Sequence, residues 1–414
     1  MADDEYNVGK VALAVIAGIF FGGVGTGVAF PTLPLLDDVL GISAVMLGVI
    51  LSANRVSRLV MNTPAGQIID SMGARRPMIA GLFVQGFAPF GYVAGLHTPR
   101  GVFVTLPLFG EVSNPSVVFT LSRLFWGVGS AFVFIGAFAI ITHITTQSNR
   151  GKWTGYMRGG QSLGFPTGLV VGGIMTDVFD IQTAFLTAGG LTMFAAVVAF
   201  FVIPDVRSSG SGRAGLLELP AVIRNEPRVI PIGVGNFTVR FLFGGVLLTT
   251  LVKYADAYTI DFSLLSAAGV SGVVMGAGIL TSSGTTVISG RVSDLLENRV
   301  LITVPAFLFL ALGFGALAYL PSFFGILGSV ILIGVGMGGS VPVLLAYLGD
   351  ISSSDDLGKM GGVYNVFGDI GLSLGPLLAV PAVTNWFGYR TTYVACSLLV
   401  VACMVVVNIP LVRD

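Results

Sequence analysis

Charge is what this sequence has least of: only 10% of its 414 residues are Asp, Glu, Lys or Arg, against about 25% in an ordinary soluble domain. So few charges cannot cover a water-facing surface, and lipid must be the solvent over most of it. The charges present cancel to a formal net of zero, which offers no basic surface to nucleic acid. Cysteine is nearly absent. Cys396 and Cys403 lie seven residues apart in the last apolar segment, on one helical face but too far apart along it for a disulfide, and read as packing residues. The histidines, His97 and His143, sit at segment ends without metal-ligand spacing, so neither a metal nor a cofactor is expected. No Gly-rich loop ending in Gly-Lys-Ser/Thr is present, which argues against ATP-driven work. No Cys/His cluster or nucleophile elbow points to an enzyme. The amino terminus is acidic and lacks the basic start and cleavage site of a signal peptide, so the first apolar segment is expected to be retained as a helix.

What fills the chain instead is apolar: 54% hydrophobic residues, mean hydropathy +0.90 and 58 glycines. Membrane helices use glycine to bring backbones together, and each crossing takes about 20 apolar residues. Twelve spans are expected, near 9–33, 44–68, 77–97, 117–142, 152–176, 184–203, 231–252, 264–288, 300–320, 323–348, 360–384 and 391–410. The fold class is therefore all-α membrane protein. One connection stands out, rich in Ser, Gly, Pro and Arg, and it divides the chain into a bundle at 1–204, a linker at 205–230 and a second bundle at 231–414. Part of that linker, Gly215 to Ile223, could lie on the membrane surface.

Basic residues set the orientation. With both termini cytoplasmic, thirteen Lys and Arg fall inside and three outside, Arg100, Lys253 and Arg390. The expected location is the cell membrane, with the lipid bilayer as surroundings, a small-molecule substrate and protons or another ion as partners, and a monomer as the working unit.

The two halves repeat. Gly66-Gln-Ile-Ile-Asp70-Ser-Met-Gly73-Ala-Arg75-Arg76 after span two matches Gly290-Arg-Val-Ser-Asp294-Leu-Leu-Glu-Asn-Arg299 after span eight, 224 residues on. Tyr156-Met-Arg158-Gly-Gly-Gln-Ser-Leu-Gly164 in span five matches Phe367-Gly-Asp369-Ile-Gly-Leu-Ser-Leu-Gly375 in span eleven, 211 residues on. Paired halves of this kind belong to transporters whose site lies at the repeat interface. The 66–76 segment resembles the loop-two/three signature of the major facilitator superfamily, G-x-x-x-D-x-x-G-x-R-[KR]. Arg123-Leu-Phe-Trp-Gly127-Val-Gly129-Ser-Ala131 resembles the R-x-x-x-G-x-G-x-A motif found in many proton-coupled members. Gly160-x-x-x-Gly164-Phe-Pro166, and more cleanly Gly371-x-x-x-Gly375-Pro376, resemble the G-x-x-x-G-P motif associated with antiporters. The resemblance covers essentially the whole chain and is strongest toward the twelve-helix drug/proton antiporter-like branch. It implies two pseudo-symmetric six-helix bundles and a secondary transporter in which helices one, four, seven and ten line the cavity. It also departs from that branch, because span one carries no acidic residue after Lys10.

A charge inside the bilayer costs at least about 2.5 kcal/mol, so such residues are functional candidates. Asp369 is the one acid placed deep in a span, and the resemblance sets it facing helix two, where Arg55 or Arg58 would pair with it as a static ion pair or a proton-dependent latch. Arg123 in span four and Arg240 in span seven are candidates for an anion-binding or proton-relay site, since Arg stays charged and binds carboxylate or phosphate bidentately. Asn236, one turn before Arg240, would share its face. Arg158, the repeat-mate of Asp369, has no acidic partner to name. In the loops, Gly66, Asp70, Gly73, Arg75 and Arg76, with Gly290, Asp294 and Arg299, are the candidate cytoplasmic gate, the glycines allowing close approach or positive φ. Gly160, Gly164, Pro166, Gly371, Gly375 and Pro376 are candidate helix-packing residues shaping the sliding surface between halves. Through the resemblance, the motifs in helices four and five imply proton-coupled efflux. Five buried arginines against one buried acid favour an organic-anion transporter or facilitator instead. A transporter-like sensor or lipid-handling protein without solute transport is the third reading.

Overall fold

Without water in the bilayer core, each backbone N–H and C=O must be satisfied within its own segment, and the chain folds accordingly into long helices. The structure, a computed structural model, describes residues 7–107, 110–205, 223–352 and 357–413; the surface-helix expectation around Gly215 lies outside them. The chain divides into two compact units, Met1–Ser211 and Gly212–Asp414. The first holds α1 (Val8–Thr32), α2 (Ala44–Met72), α3 (Arg75–Leu96), α4 (Asn114–Ile144), α5 (Arg150–Val178) and α6 (Ile181–Val202). The second holds α7 (Val229–Ala257), α8 (Ala267–Ser293), α9 (Thr303–Tyr319), α10 (Phe323–Ile351), α11 (Leu357–Pro381) and α12 (Gly388–Arg413). Two of these contain a π-helical stretch: Phe241–Leu247 inside α7 and Ala382–Trp386 continuing α11.

Eleven of the helices are long and apolar enough to cross a membrane. α5 has the length, at 29 residues, but not the hydropathy. Its glycines contribute little to hydropathy, and Arg150, Lys152, Arg158 and Asp177 lower the mean further. The helix starts follow local chemistry. Met46 N–H donates to Ser43 Oγ at 3.3 Å, Ser116 N–H to Ser113 Oγ at 3.4 Å, Thr183 N–H to Asp180 Oδ1 at 2.7 Å and Gly325 N–H to Ser322 Oγ at 3.2 Å. At Asp180 the Thr183 amide is the main cause holding the carboxyl below its ordinary pKa.

Each unit repeats one packing plan. In the first, α1 packs on α5 and α6, α4 on α2 and α3, and α3 on α6. In the second, α7 packs on α11 and α12, α10 on α8 and α9, and α9 on α12. Every pair recurs six helices on.

The structure corrects the sequence reading in three places. The α3–α4 connection, which lies outside the expected spans, carries an antiparallel hairpin, Val102–Leu106 with Gly110–Ser113, Leu106 opposite Gly110. Its first strand, Val-Phe-Val-Thr-Leu, is rich in β-branched residues, as strands are. The glycine ridge of α5 is spent inside its own unit. A Cβ at Gly160 would lie 2.9 Å from Ile16 Cγ2, one at Gly172 would lie 2.6 Å from Val28 Cα, and ones at Gly164 and Gly168 would run into the carbonyl oxygens of Phe20 and Val24. All four neighbours belong to α1. Of the loop glycines, Gly73 has positive φ (+85°) and closes α2, its N–H donating to Ile69 O at 2.9 Å, whereas Gly66 and Gly290 are ordinary helical residues.

Candidate functional site

In the first unit α2 is buried continuously over residues 50–54 and again at Ser57. Arg123 of α4 reaches across to it. Its side chain is fully buried, and it donates from Nε to Ile50 O (3.3 Å) and from Nη2 to Leu51 O (3.3 Å) and Asn54 Oδ1 (3.0 Å). Its guanidinium carbon lies 5.9 Å from the Phe30 ring centre. Among the described residues one nitrogen, Nη1, finds no hydrogen-bond partner. Neither does the Tyr92 hydroxyl of α3, which is likewise buried and lies within electrostatic reach of Arg123.

The rest of that motif is also helix contact. A Cβ at Gly127 would strike Asn54 O and lie 2.8 Å from Ser57 Cβ, and one at Gly129 would lie 2.6 Å from Gly81 O. Ser57 Oγ donates to Leu124 O at 2.8 Å. The motif thus seats α4 against α2 on one side and α3 on the other. Arg55 and Arg58 are half-buried, and Arg58, one turn after Asn54 on α2, is placed 5.8 Å from the Phe134 ring centre. Arg158 is exposed.

In the second unit Arg240 is half-buried and donates from Nε to Asn236 Oδ1 at 3.0 Å, while Asn236 Nδ2 donates to Tyr364 O at 2.7 Å. Tyr364 Oη in turn donates to Val341 O at 2.9 Å. The chain therefore runs from α7 through α11 to α10. Gly368 makes it possible, because a Cβ there would lie 2.5 Å from Arg240 Cδ and 2.6 Å from Asn236 Nδ2. Asp369 is the next residue and is half-buried. Gly371 and Gly375 face Phe237 and Gly245 of α7, and Pro376 lies inside α11.

The two gate loops differ. Arg299 bonds Asp350 at 2.8 Å and lies 3.7 Å from Asp294, which closes α8. In the first copy Asp70 is exposed, and Arg75 donates instead to Phe200 O of α6 at 2.8 Å and stacks on that ring at 5.8 Å. The carbonyls of a helix's last turn carry partial negative charge, so they serve where the place matching Asp350 holds His143. Sequence reasoning missed Asn54, Ser57, Tyr92, Gln85 and Tyr364. No sequence pattern marks the first two, because α2 is buried on all sides over residues 50–54.

Comparison with known proteins places this arrangement. The model of the Major Facilitator Superfamily matches residues 15–376 and again 279–413. The chain belongs to this superfamily. Its fold is therefore two six-helix bundles, and the protein is a multi-pass membrane transporter. Among its relatives, Multidrug resistance protein 1 of Bacillus subtilis (strain 168) is 22% identical over 88% of this chain and 87% of its own. Multidrug resistance protein 2 of the same organism is 25% identical over 195 residues, so that the match spans 47% of this chain and 44% of that relative's length. The solved nucleoside transporter NupG shares the fold, with TM-score 0.78 at 12% identity over 95% of this chain and 98% of that one. Among the described residues no group of His, Cys, Asp and Glu is placed to hold a metal.

Proposed function

We propose that this superfamily member is a proton-coupled exporter of lipophilic organic solutes, working by alternating access of its two units. It would sit in the cell membrane as a monomer, with both termini cytoplasmic as the basic residues favour. The observation that carries this reading is the similarity to a multidrug resistance protein along 88% of the chain. Arg123 supports it indirectly: its bonded partners are carbonyl and amide oxygens of α2, so it acts as a fixed charge between helices rather than a substrate contact. Asp369 is the proton-binding group in this reading, an acid in a span beside the Asn236–Arg240 chain. Arg55 and Arg58 are the further coupling candidates. The loops around Asp70 and around Asp294 with Arg299 form the cytoplasmic gate.

The test is a proteoliposome assay with a trapped pH dye and two panels, lipophilic cations and small organic anions. Cations are expected to drive a proton flux that Asp369→Asn abolishes. No flux with either panel would remove proton coupling. The half-buried guanidinium of Arg240 favours a second reading, an organic-anion transporter, and flux with the anion panel alone would select it.

A further inference from the structure

Inside the first unit, α1, α3 and α4 enclose a cavity of about 30 Å³ lined by Ile19, Gly22, Gly23, Thr26, Gln85, Val133 and Phe134. The floor is buried, with Gln85 at 2% exposure, while Gly23, Thr26 and Phe134 at the mouth keep partial exposure. Two glycines set Gln85 in place. A Cβ at Gly129 would lie 3.0 Å from Gln85 Cγ, and one at Gly22 would lie 2.9 Å from its Oε1. Among the described residues that Oε1 has no hydrogen-bond donor, although a buried amide oxygen without a donor costs about 1–3 kcal/mol. Beside it, the Thr26 hydroxyl donates to Gly22 O at 3.0 Å and accepts from Trp126 Nε1 at 3.1 Å. A hydroxyl oxygen has two acceptor lone pairs, so Thr26 retains one. None of the seven lining residues is charged.

We propose that this cavity is a recognition subsite for an N–H or O–H donor group of the transported molecule, a primary ammonium or a hydroxyl. The site presents hydrogen-bond acceptors, Gln85 Oε1 and Thr26 Oγ1, in a largely apolar frame. A donor entering it satisfies the orphan oxygen, and a group of equal charge without donors leaves that oxygen unpaired. Discrimination of this kind is large when buried polar groups are built to be paired. The volume admits a group of about two non-hydrogen atoms, so the head enters and the remainder of the molecule stays at the mouth, beside the Phe134 ring. The inference rests on the transport reading above for its physiological role, but the binding event stands alone.

The test is ligand binding to the full chain in detergent. Trp126, bonded to Thr26 at the cavity, is the reporter, read in a Trp153→Phe/Trp386→Phe background. The probes are benzylammonium, benzyl alcohol and benzyltrimethylammonium, the last keeping the charge without a donor. Benzylammonium and benzyl alcohol are expected to bind at least tenfold tighter than benzyltrimethylammonium. Gln85→Leu is expected to shrink that gap below twofold. Gly22→Ala, whose Cβ would displace the Gln85 amide, should do the same should Gln85→Leu fail to fold. Equal affinity for the three probes in the parent would overturn the proposal, as would an unchanged gap in a folded variant. Because no transport is measured, loss of the efflux reading would leave this result legible.

Discussion

Arg123 shows how a charge becomes tolerable inside a span. Its cost there is at least about 2.5 kcal/mol, and the fork geometry of a guanidinium offsets it through bonds to Ile50 O, Leu51 O and Asn54 Oδ1. A lysine is a single-point cation and cannot reproduce that fork. Arg123→Lys is therefore expected to leave a folded, monodisperse protein but to lower substrate counterflow in proteoliposomes at least tenfold; unchanged counterflow would show that the charge alone suffices. Arg299 poses the opposite case. Its partner Asp350 is 47% exposed at the side chain, and exposed pairs contribute about 0.2–1 kcal/mol. A double-mutant cycle with Arg299→Ala and Asp350→Asn should return a stability coupling below about 1 kcal/mol, with the larger effect on transport rate if the loop gates. The arginines themselves were legible in the sequence, but Asn54 was not, because Arg55 and Arg58 are the conspicuous charges beside it and only the fold shows that it is buried.

Between elements, the governing contact is glycine against backbone. Lipid tails are as apolar as side chains, so helices in a bilayer associate through close packing. The α1–α5 seam is the extreme case, with Gly23 and Gly27 of α1 set against the α5 backbone near Phe165. Gly164→Leu is expected to abolish the monodisperse peak in size-exclusion chromatography. Gly190→Leu on α6, where a new Cβ meets nothing within 4 Å, is expected to leave it intact. The start of α6 carries a pH dependence. Asp180 accepts from the Thr183 amide and hydroxyl, and its carboxyl is held below the ordinary range. Its contribution is thus present above the ordinary carboxylate pKa of about 3.9 and is lost as pH falls through the depressed value. Asp180→Ala should lower the thermal midpoint at pH 7, and the gap to the parent should close in acid.

For the molecule as a whole, one plan of helix pairs serves both units, yet the two copies are not chemically equivalent. The second loop uses an ion pair where the first uses a helix-terminal carbonyl, and the second unit carries the half-buried acid, Asp369, where the first carries an exposed Arg158. The orientation assigned from basic residues predicts a labelling pattern. In a background with Cys396 and Cys403 replaced by alanine, Thr105→Cys in the hairpin should react with an impermeant maleimide on intact cells. Ser71→Cys in the last turn of α2, beside the first gate loop, should react only after permeabilisation, and the reverse pattern would invert the topology.

Hydropathy, span number and the internal repeat were determined by sequence alone. In lipid each helix satisfies its own backbone, so a span is a local property, readable from hydropathy in eleven of the helices and from length in α5. The family motifs were legible for a related reason, being short and set at fixed spacing. What the tertiary structure alone decided was the rotation of each helix and therefore the company of each side chain. Lipid-facing and core-facing residues are both apolar here, so little amphipathic pattern marks the inner face. That is why the glycine ridge of α5 turned out to serve α1, why the Gln85 amide was found at the wall of a cavity, and why Tyr92 came to lie beside Arg123. The hairpin escaped because its strand of five residues, though rich in β-branched residues, is held by pairing with 110–113, a contact that composition does not display.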